Sequence, residues 1–242
     1  MVSVCIATYN GEKFIKKQIE SILIQLEADD EVIISDDKST DNTIQIINSI
    51  NDDRLKLYVN RNSSGRPTEN FQNALEKANG EYIFLADQDD IWLENKYHKL
   101  KNLLSIYDLV TSDSIVVDED LNEIIPSFFA NHGSRKGILR NAIKNSYFGS
   151  CMAFRSRILD YALPFPKSKE IGHDVWIGLI AEMTGKVFFY KEPLILYRRH
   201  SAAVTSHGIS RSKRSIIAKL FGRVIMMQHV FNFYIKHKWK KA

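Results

Sequence analysis

Four short, strongly apolar runs, each followed by a polar cluster and separated by stretches of helical periodicity, constrain this chain more than any other feature. The runs are residues 2–7, 31–35, 55–59 and 82–86. Between them Phe14, Ile15, Ile19, Ile22, Leu23 and Leu26 recur at helical spacing, after a turn at Asn10-Gly11. A second helix is predicted from Thr40, carrying Ile44, Ile46, Ile47 and Ile50, and a third over 68–78, carrying Phe71, Leu75 and Ala78. Strands alternating with helices imply an α/β fold with a mainly parallel, Rossmann-like sheet and right-handed crossovers. The run 82–86 is as apolar as a strand covered on both faces should be.

The alternation then breaks. Residues 108–117 read as a strand, 124–134 as a long irregular loop and 147–154 as another strand. A helix is predicted over 174–184, and short strands over 186–190 and 194–197 flank Pro193. A length of 242 residues accommodates one large α/β domain and is short for two roomy ones. A Ser/Arg/Lys stretch at 206–215 separates the body, 1–205, from a tail, 206–242.

Open α/β sheets bind ligands beyond the carboxyl ends of their strands. The residues there are Thr8-Tyr9-Asn10, Asp36-Asp37, Asn60-Arg61-Asn62 and Asp87-Gln88-Asp89-Asp90. Carboxylates spaced as Asp87-x-Asp89, with Asp90 adjoining, suit Mg²⁺ or Mn²⁺, which take oxygen ligands and leave positions for water and phosphate. The same run also reads as a solvated acidic turn or a helix cap. Asp36-Asp37 suits an Asx turn before a helix capped by Ser39 or Thr40, or a carboxylate that accepts from a pyrimidine N–H. Asp174 reads as a helix N-terminal residue stabilised by the dipole. Trp92 and Trp176 suit stacking on a sugar face or packing in the core. Gly149-Ser150-Cys151 suits close backbone approach to an acceptor or a simple bulge. His132 and His173 read as surface residues.

The ordered motifs Val4-Cys5-Ile6-Ala7-Thr8-Tyr9-Asn10, Ser35-Asp36-Asp37-Lys38-Ser39-Thr40-Asp41, Gly80-Glu81-Tyr82 and Asp87-Gln88-Asp89-Asp90 resemble glycosyltransferase family 2, of GT-A fold, over roughly residues 1–200. Ile91-Trp92 and His173-Asp174-Val175-Trp176 resemble its bacterial rhamnosyltransferase-like members. The resemblance implies a metal-dependent, inverting transfer of rhamnose or another hexose from a UDP- or dTDP-sugar to a saccharide or lipid-linked acceptor in surface polysaccharide synthesis. It implies a nucleotide-sugar half, 1–107, and a smaller acceptor half, 108–205. Thr8, Tyr9, Asn10, Asp37, Asn70 and Asp87 then match nucleotide-sugar contacts, with Arg198 and Arg199 near the leaving diphosphate. Asp89, Asp90 and His200 match metal contacts, Asp174 matches the base, and Trp92, Gly149, Ser150 and Trp176 fall on the acceptor side. Where the family pattern has Arg just before Asn70, this chain has Glu69. A nucleotidyltransferase would need a Gly-rich basic loop after the first strand, and Thr8-Tyr9-Asn10-Gly11 is not one. A phosphotransfer receiver domain fits neither the length nor the second acidic cluster. A catalytically inactive binding module fits poorly with Asp37, Asp89 and Asp174 all present.

Charge is distributed unevenly. Nine of the 33 Lys and Arg lie from Ile209 onward with no Asp or Glu, so the body is acidic and the tail basic. In the tail Ile217, Leu220, Val224, Met227, Phe231 and Tyr234 recur every three or four residues. Such a basic amphipathic helix suits an anionic lipid surface, or packing on the body or on a second copy in a homodimer. An apolar stripe on an acidic body disfavours nucleic acid. Cys5 and Cys151 match no metal or redox spacing and suit a reducing cytoplasm. No basic-apolar leader and no apolar run of about 18 residues occurs, so the expected location is cytoplasmic, with peripheral contact on the inner membrane face.

Overall fold

The computed structural model describes residues 1–61, 65–200 and 215–238. Nine strands among them form one sheet. Its parallel half comprises β1 (Val2–Thr8), β2 (Glu31–Asp36), β3 (Leu55–Val59) and β4 (Tyr82–Asp87), in spatial order β3-β2-β1-β4. Beyond β4 the sheet continues through β8 (Met152–Arg155), β6 (Leu109–Val117), β9 (Val187–Arg198) and β5 (Ile91–Trp92), with β7 (Glu123–Ile125) on β6. β8 runs antiparallel to both β4 and β6, and β6 runs parallel to β9. One sheet therefore spans both predicted halves of the body.

Side chains alternate across the strands into two cores. Val4, Ile6, Val32, Ile34, Phe84 and Ala86 pack with Ile15, Ile19 and Ile22 of α1 (Ile15–Leu23) and with Tyr97 and Leu100 of α4 (Lys96–Leu103). Cys5, Ile33, Ile83 and Leu85 pack with Phe71 and Leu75 of α3 (Pro67–Leu75) and with α8 (His173–Thr184) on the other face. Each fully buried Ile of α1 contributes about 2 kcal/mol relative to exposure. α3 starts at Pro67, whose missing N–H falls where a helix has none to satisfy. α2 (Thr43–Asn48) begins three residues after Thr40, because Asp41 accepts from the backbone N and hydroxyl of Thr43 and holds the preceding residues in a turn.

Several second-half elements differ from the sequence expectation. The segment 124–134 contains β7 and α5 (Phe128–His132) instead of an irregular loop. Ser127 caps α5 by accepting from Ala130 N, and buried Asp113 accepts from Phe129 N and Ser127 Oγ. Of the expected strand 147–154 only 152–154 is strand, and β8 runs on to Arg155, because Gly149–Cys151 forms a 3₁₀ turn. The two strands flanking Pro193 are one, β9. Tyr190 pairs with Ser112 and Pro193 with Asp113, so two extra residues bulge where proline cannot donate to the ladder. α4, α6 (Ile138–Ile143) and α7 (Leu159–Ala162) were not anticipated.

The tail expectation changes too. Of the 206–242 tail, residues 215–238 are described and α9 covers Ile216–Lys238; Arg211, Lys213, Arg214, Lys240 and Lys241, like Asn62 of the third polar cluster, lie outside the described residues. α9 packs on the body through Met226, Val230 and Phe233, the last meeting Trp176 edge-on at 6.2 Å. Most of the predicted stripe faces out instead: Ile217 is 80% exposed, and Leu220, Val224, Phe231 and Tyr234 are also exposed, with only Met227 partly covered. Apolar residues surround the helix, so periodicity alone did not select the docked face.

Candidate active site

The parallel register delivers Thr8, Asp36 and Asp87 to one edge, since Thr8 pairs with Asp36 and Ala7 with Asp87. There the loops are tied together. Gln88 Oε1 accepts from Thr8 Oγ1 and from Tyr9 N, both at 2.8 Å, while Gln88 Nε2 donates to Tyr9 O at 3.1 Å. A Cβ on Gly11 would lie 2.5 Å from that same Oε1, so the close approach requires glycine. Asn10, at φ +48°, donates from its N to Ser39 Oγ and accepts from Thr40 N, joining the first loop to the second. The Tyr9 side chain is 54% exposed at the rim.

Asp36 and Asp37 do different things. Asp36 accepts from Ser39 N and Oγ, an Asx turn. Asp37 is buried and accepts from Asn60 Nδ2 at 3.0 Å, so the third strand's polar cluster aims the second's carboxylate. Asn70 accepts from Ser35 Oγ at 2.6 Å and donates to Thr8 O at 3.0 Å. Its amide braces the ends of β1 and β2. Glu69, in place of the family Arg, pairs with Arg66 at 2.7 Å.

The acidic run folds inward. Burial, then Asp89 and Asp174, push Asp87 up to about 7, against the pull of Lys96. That Asp174 acts on Asp87 puts the α8 carboxylate within electrostatic reach of the run. Asp90 is raised well above the usual carboxylate range by burial, Asp89 and Asp87. It accepts from Arg198 N at 2.9 Å, and its Oδ2 has no partner among the described residues. Asp89 Oδ2 lies 2.8 Å from His200 Nε2. The pairing of β9 with β5 explains this closeness across 111 positions, because Leu196 opposite Ile91 carries the end of β9 over the run. Arg198 itself is buried, donating to Asp89 O at 2.8 Å and Glu119 O at 2.5 Å over the Phe14 ring. Its guanidinium clamps backbone carbonyls. Arg199 is half-buried, its guanidinium beside the Tyr197 ring and hydroxyl.

Asp174 is the second residue of α8 and half-buried. Its Oδ1 accepts from Val175 N at 2.7 Å and its Oδ2 from Asn145 Nδ2 at 3.3 Å. His173 is not a surface residue: it stacks on Phe71 at 4.1 Å, and neither shielded ring nitrogen has a partner among the described residues. Burial holds its pKa below the usual histidine range. His132 is half-buried, stacked on Phe128 with Nε2 2.8 Å from Asn145 O.

The residues expected on the acceptor side lie in the interior. Trp92 is 4% exposed and packs on Phe84, and Trp176 is 6% exposed with Nε1 donating to Ala162 O at 3.0 Å. Both indoles belong to the interior and present no face to a sugar. Gly149 and Ser150 are also buried, beside His173 and Lys96 respectively. Gln88 and Lys96 are the residues sequence reasoning missed. An amide between carboxylates at a parallel strand end was a usable signal for Gln88; the Lys-rich helix around Lys96 contained none.

A divalent cation fits the chemistry of the run. Asp89 and His200 already face each other as hard oxygen and nitrogen donors, Asp90 Oδ2 is unpartnered, and three crowded carboxylates repel. Among the described residues no group of three or more His, Cys, Asp or Glu side chains is placed to hold a metal ion. Mg²⁺ and Mn²⁺ tolerate that, taking remaining ligands from water and phosphate.

Comparison with known proteins agrees with this geometry. The model of the family described as Glycosyl transferase family 2 matches residues 3–162. The chain is 27% identical over 223 residues to the UDP-Glc:alpha-D-GlcNAc-diphosphoundecaprenol beta-1,3-glucosyltransferase WfgD of Escherichia coli, covering 88% of this chain and 83% of that protein. It is 26% identical over 216 residues to the dTDP-rhamnosyl transferase RfbG of Shigella flexneri, covering 80% and 71%. The crystal structure of S. aureus TarS 1-349 in complex with UDP-GlcNAc superposes with a TM-score of 0.68 at 20% identity, over 97% of this chain and 72% of that one. The shared fold is GT-A.

Proposed function

The chain belongs to glycosyl transferase family 2, and from that premise we propose that it transfers one sugar, with inversion, from a UDP- or dTDP-sugar to a hydroxyl of a saccharide or lipid-linked acceptor. The observation that carries the reading is the acidic run at the end of β4, where Asp89 Oδ2 lies 2.8 Å from His200 Nε2 in a chain whose residues 3–162 match the family. Relatives named for a UDP-glucose and for a dTDP-rhamnosyl transfer support both donor nucleotides, and with them rhamnose or another hexose. Asp37, aimed by Asn60, accepts the pyrimidine N–H, and exposed Tyr9 covers the base. Residues 1–107 form the nucleotide-sugar half and 108–205 the acceptor half.

Asp89 and His200 would hold Mn²⁺ or Mg²⁺, with Asp90 and Asp87 in support. The cation would supply Lewis-acid neutralisation of the diphosphate, with Arg199 as a further source of positive charge. In the reaction the acceptor oxygen bonds the anomeric carbon as its proton passes to Asp174. The electron pair of the breaking anomeric C–O bond leaves with the nucleoside diphosphate. Asp is a weak base near pH 7, so proton transfer is late, assisted by the rising acidity of the attacked hydroxyl. The test is a screen of nucleotide sugars with Mn²⁺ or Mg²⁺, reading released diphosphate and product anomer by NMR. Retained anomeric configuration, or no donor turned over under any condition, overturns the assignment.

The acceptor is membrane-linked, and α9 meets the cytoplasmic leaflet. No described helix is long and apolar enough to cross a membrane. The outer side of α9 exposes Ile217, Leu220, Phe221, Val224 and Phe231, and the helix carries basic residues and no acidic one. Phe221→Ser/Phe231→Ser, which leaves the docked face intact, should abolish flotation with phosphatidylglycerol vesicles; unchanged flotation refutes the contact.

A further inference from the structure

Asp174, Gly178 and Glu182 stand four residues apart along α8 and so share one face of that helix. The segment 145–147 lies on that face. A Cβ on Gly178 would overlap the Tyr147 ring, so glycine lets the ring reach the helix, and Tyr147 Oη donates to Glu182 Oε1 at 2.5 Å. Asn145 is fastened to the same tyrosine: its Oδ1 accepts from Tyr147 N at 2.8 Å and its Nδ2 donates to Tyr147 O at 2.6 Å. His132 Nε2 lies 2.8 Å from Asn145 O and ties the loop to α5. The two bonds to Tyr147 decide which way the amide points. With Oδ1 spent on Tyr147 N, the NH₂ end faces Tyr147 O and Asp174 Oδ2, which it reaches at 3.3 Å. The other carboxylate oxygen, Asp174 Oδ1, accepts from Val175 N at 2.7 Å, and a Cβ on Gly172 would lie 2.6 Å from it. The carboxylate is therefore held at both oxygens, once by its own helix and once by Asn145.

We propose that Asn145 is a positioning residue for Asp174, its amide locking the plane in which the carboxylate meets the acceptor hydroxyl. The inference rests on the reading above, that Asp174 takes the acceptor proton. Held by Val175 N alone, the carboxylate would still turn about its last torsion, which is broad in aspartate. A second donor on the other oxygen removes that freedom and leaves lone pairs on both oxygens for the incoming proton. An amide suits the task, because it donates without titrating and does not compete for the proton. Tyr147, anchored by Gly178 and Glu182 one and two turns further along α8, sets where Asn145 stands. A bond of 3.3 Å adds little to stability, yet orientation of a reacting group by a fraction of an ångström matters greatly for rate. Asn145 acts on the reaction through the carboxylate.

The experiment measures diphosphate release by the full chain with MnCl₂, from a donor that the wild type turns over, UDP-glucose and dTDP-rhamnose being tried first and water serving as acceptor. Asn145→Ala should lower kcat about 10- to 100-fold, the worth of a hydrogen bond to a charged group, while donor KM stays within about twofold of wild type. In an Asp174→Asn background the same change should alter the residual rate less than about twofold, because the carboxylate it served is gone. Asn145→Asp, which keeps the bond from Tyr147 N but faces Asp174 with an acceptor, should lose at least as much kcat as Asn145→Ala. If Asn145→Ala does not fold, Asn145→Asp decides the same question. A kcat within about twofold of wild type, a loss carried by KM alone, or equal losses in the wild-type and Asp174→Asn backgrounds overturns the proposal. Full release by Asp174→Asn alone, or a wild type that turns over no donor, refutes the reading above instead, and the inference falls with it.

Discussion

Gly11→Ala offers a test of how the donor loop is held. The new Cβ would lie 2.5 Å from Gln88 Oε1 and 3.3 Å from Thr8 Oγ1, so Gln88 must move. Its side chain is flexible and can move, and the fold should survive. What cannot survive is the three-bond clamp on Thr8 and Tyr9. Each such bond contributes about 1 kcal/mol net when buried, and less at this part-exposed edge. The summed loss is about 1–2 kcal/mol, or roughly a five- to thirty-fold weaker nucleotide affinity if the loop must be ordered on binding. Calorimetric titration with UDP checks this, with Gln88→Ala as the partner variant. Both changes remove one clamp, so Gly11→Ala/Gln88→Ala should bind no more weakly than either single. Additive losses would show that Gly11 acts through something other than Gln88, and unchanged affinity in both singles would refute the clamp altogether.

Asp174→Asn keeps its size and part of its hydrogen bonding, so it should lower transfer about 10²- to 10⁴-fold while UDP affinity stays near wild type; retained transfer removes Asp174 as base. Trp176→Ala should cost about 3–5 kcal/mol of stability in urea unfolding and, if the protein is assayed where folded, leave acceptor KM unchanged, since the indole lies between the body and Phe233. In metal-free protein Asp87 sits at about 7 against about 4 unfolded, so between those values the native state binds more protons than the unfolded one. Stability should therefore fall as pH rises from about 4 to about 7, and Asp87→Asn should flatten that slope; a urea midpoint that rises over the interval contradicts the burial of Asp87.

The parallel half was legible because its code is local. The runs at 2–7, 31–35 and 82–86 are largely apolar and the helices between strands each have a buried stripe, so periodicity located the strands and their polar ends, with β3 (burial mostly partial) the weakest of them. The second half was not, because its elements depend on partners remote in sequence. α5 is held by Asp113 from β6, and the bulge at Pro193 exists only against that same strand. Site residues divided along the same line. Asp37 and Asp89 announce themselves by position at a strand end. Asn70, Trp92, Trp176 and Arg198 have types suited to a ligand but spend their polar atoms or rings on the protein, and only coordinates reveal that.

Lys96 and His200 show why the centre of such a site is hard to read. Neither is near the acidic run by local rule: His200 arrives because β9 pairs with Ile91-Trp92, and Lys96 is inward because α4 begins where that pair ends. The dipeptide Ile91-Trp92 pairs with Leu196 and Ile195 and so brings the end of β9, with His200, back over the carboxylates that precede it. Trp92 serves the interior twice, as the strand partner of Ile195 and as the ring 4.5 Å from Lys96 Nζ. A tryptophan that follows an acidic run can thus build the site by pairing and packing, with its ring in the core.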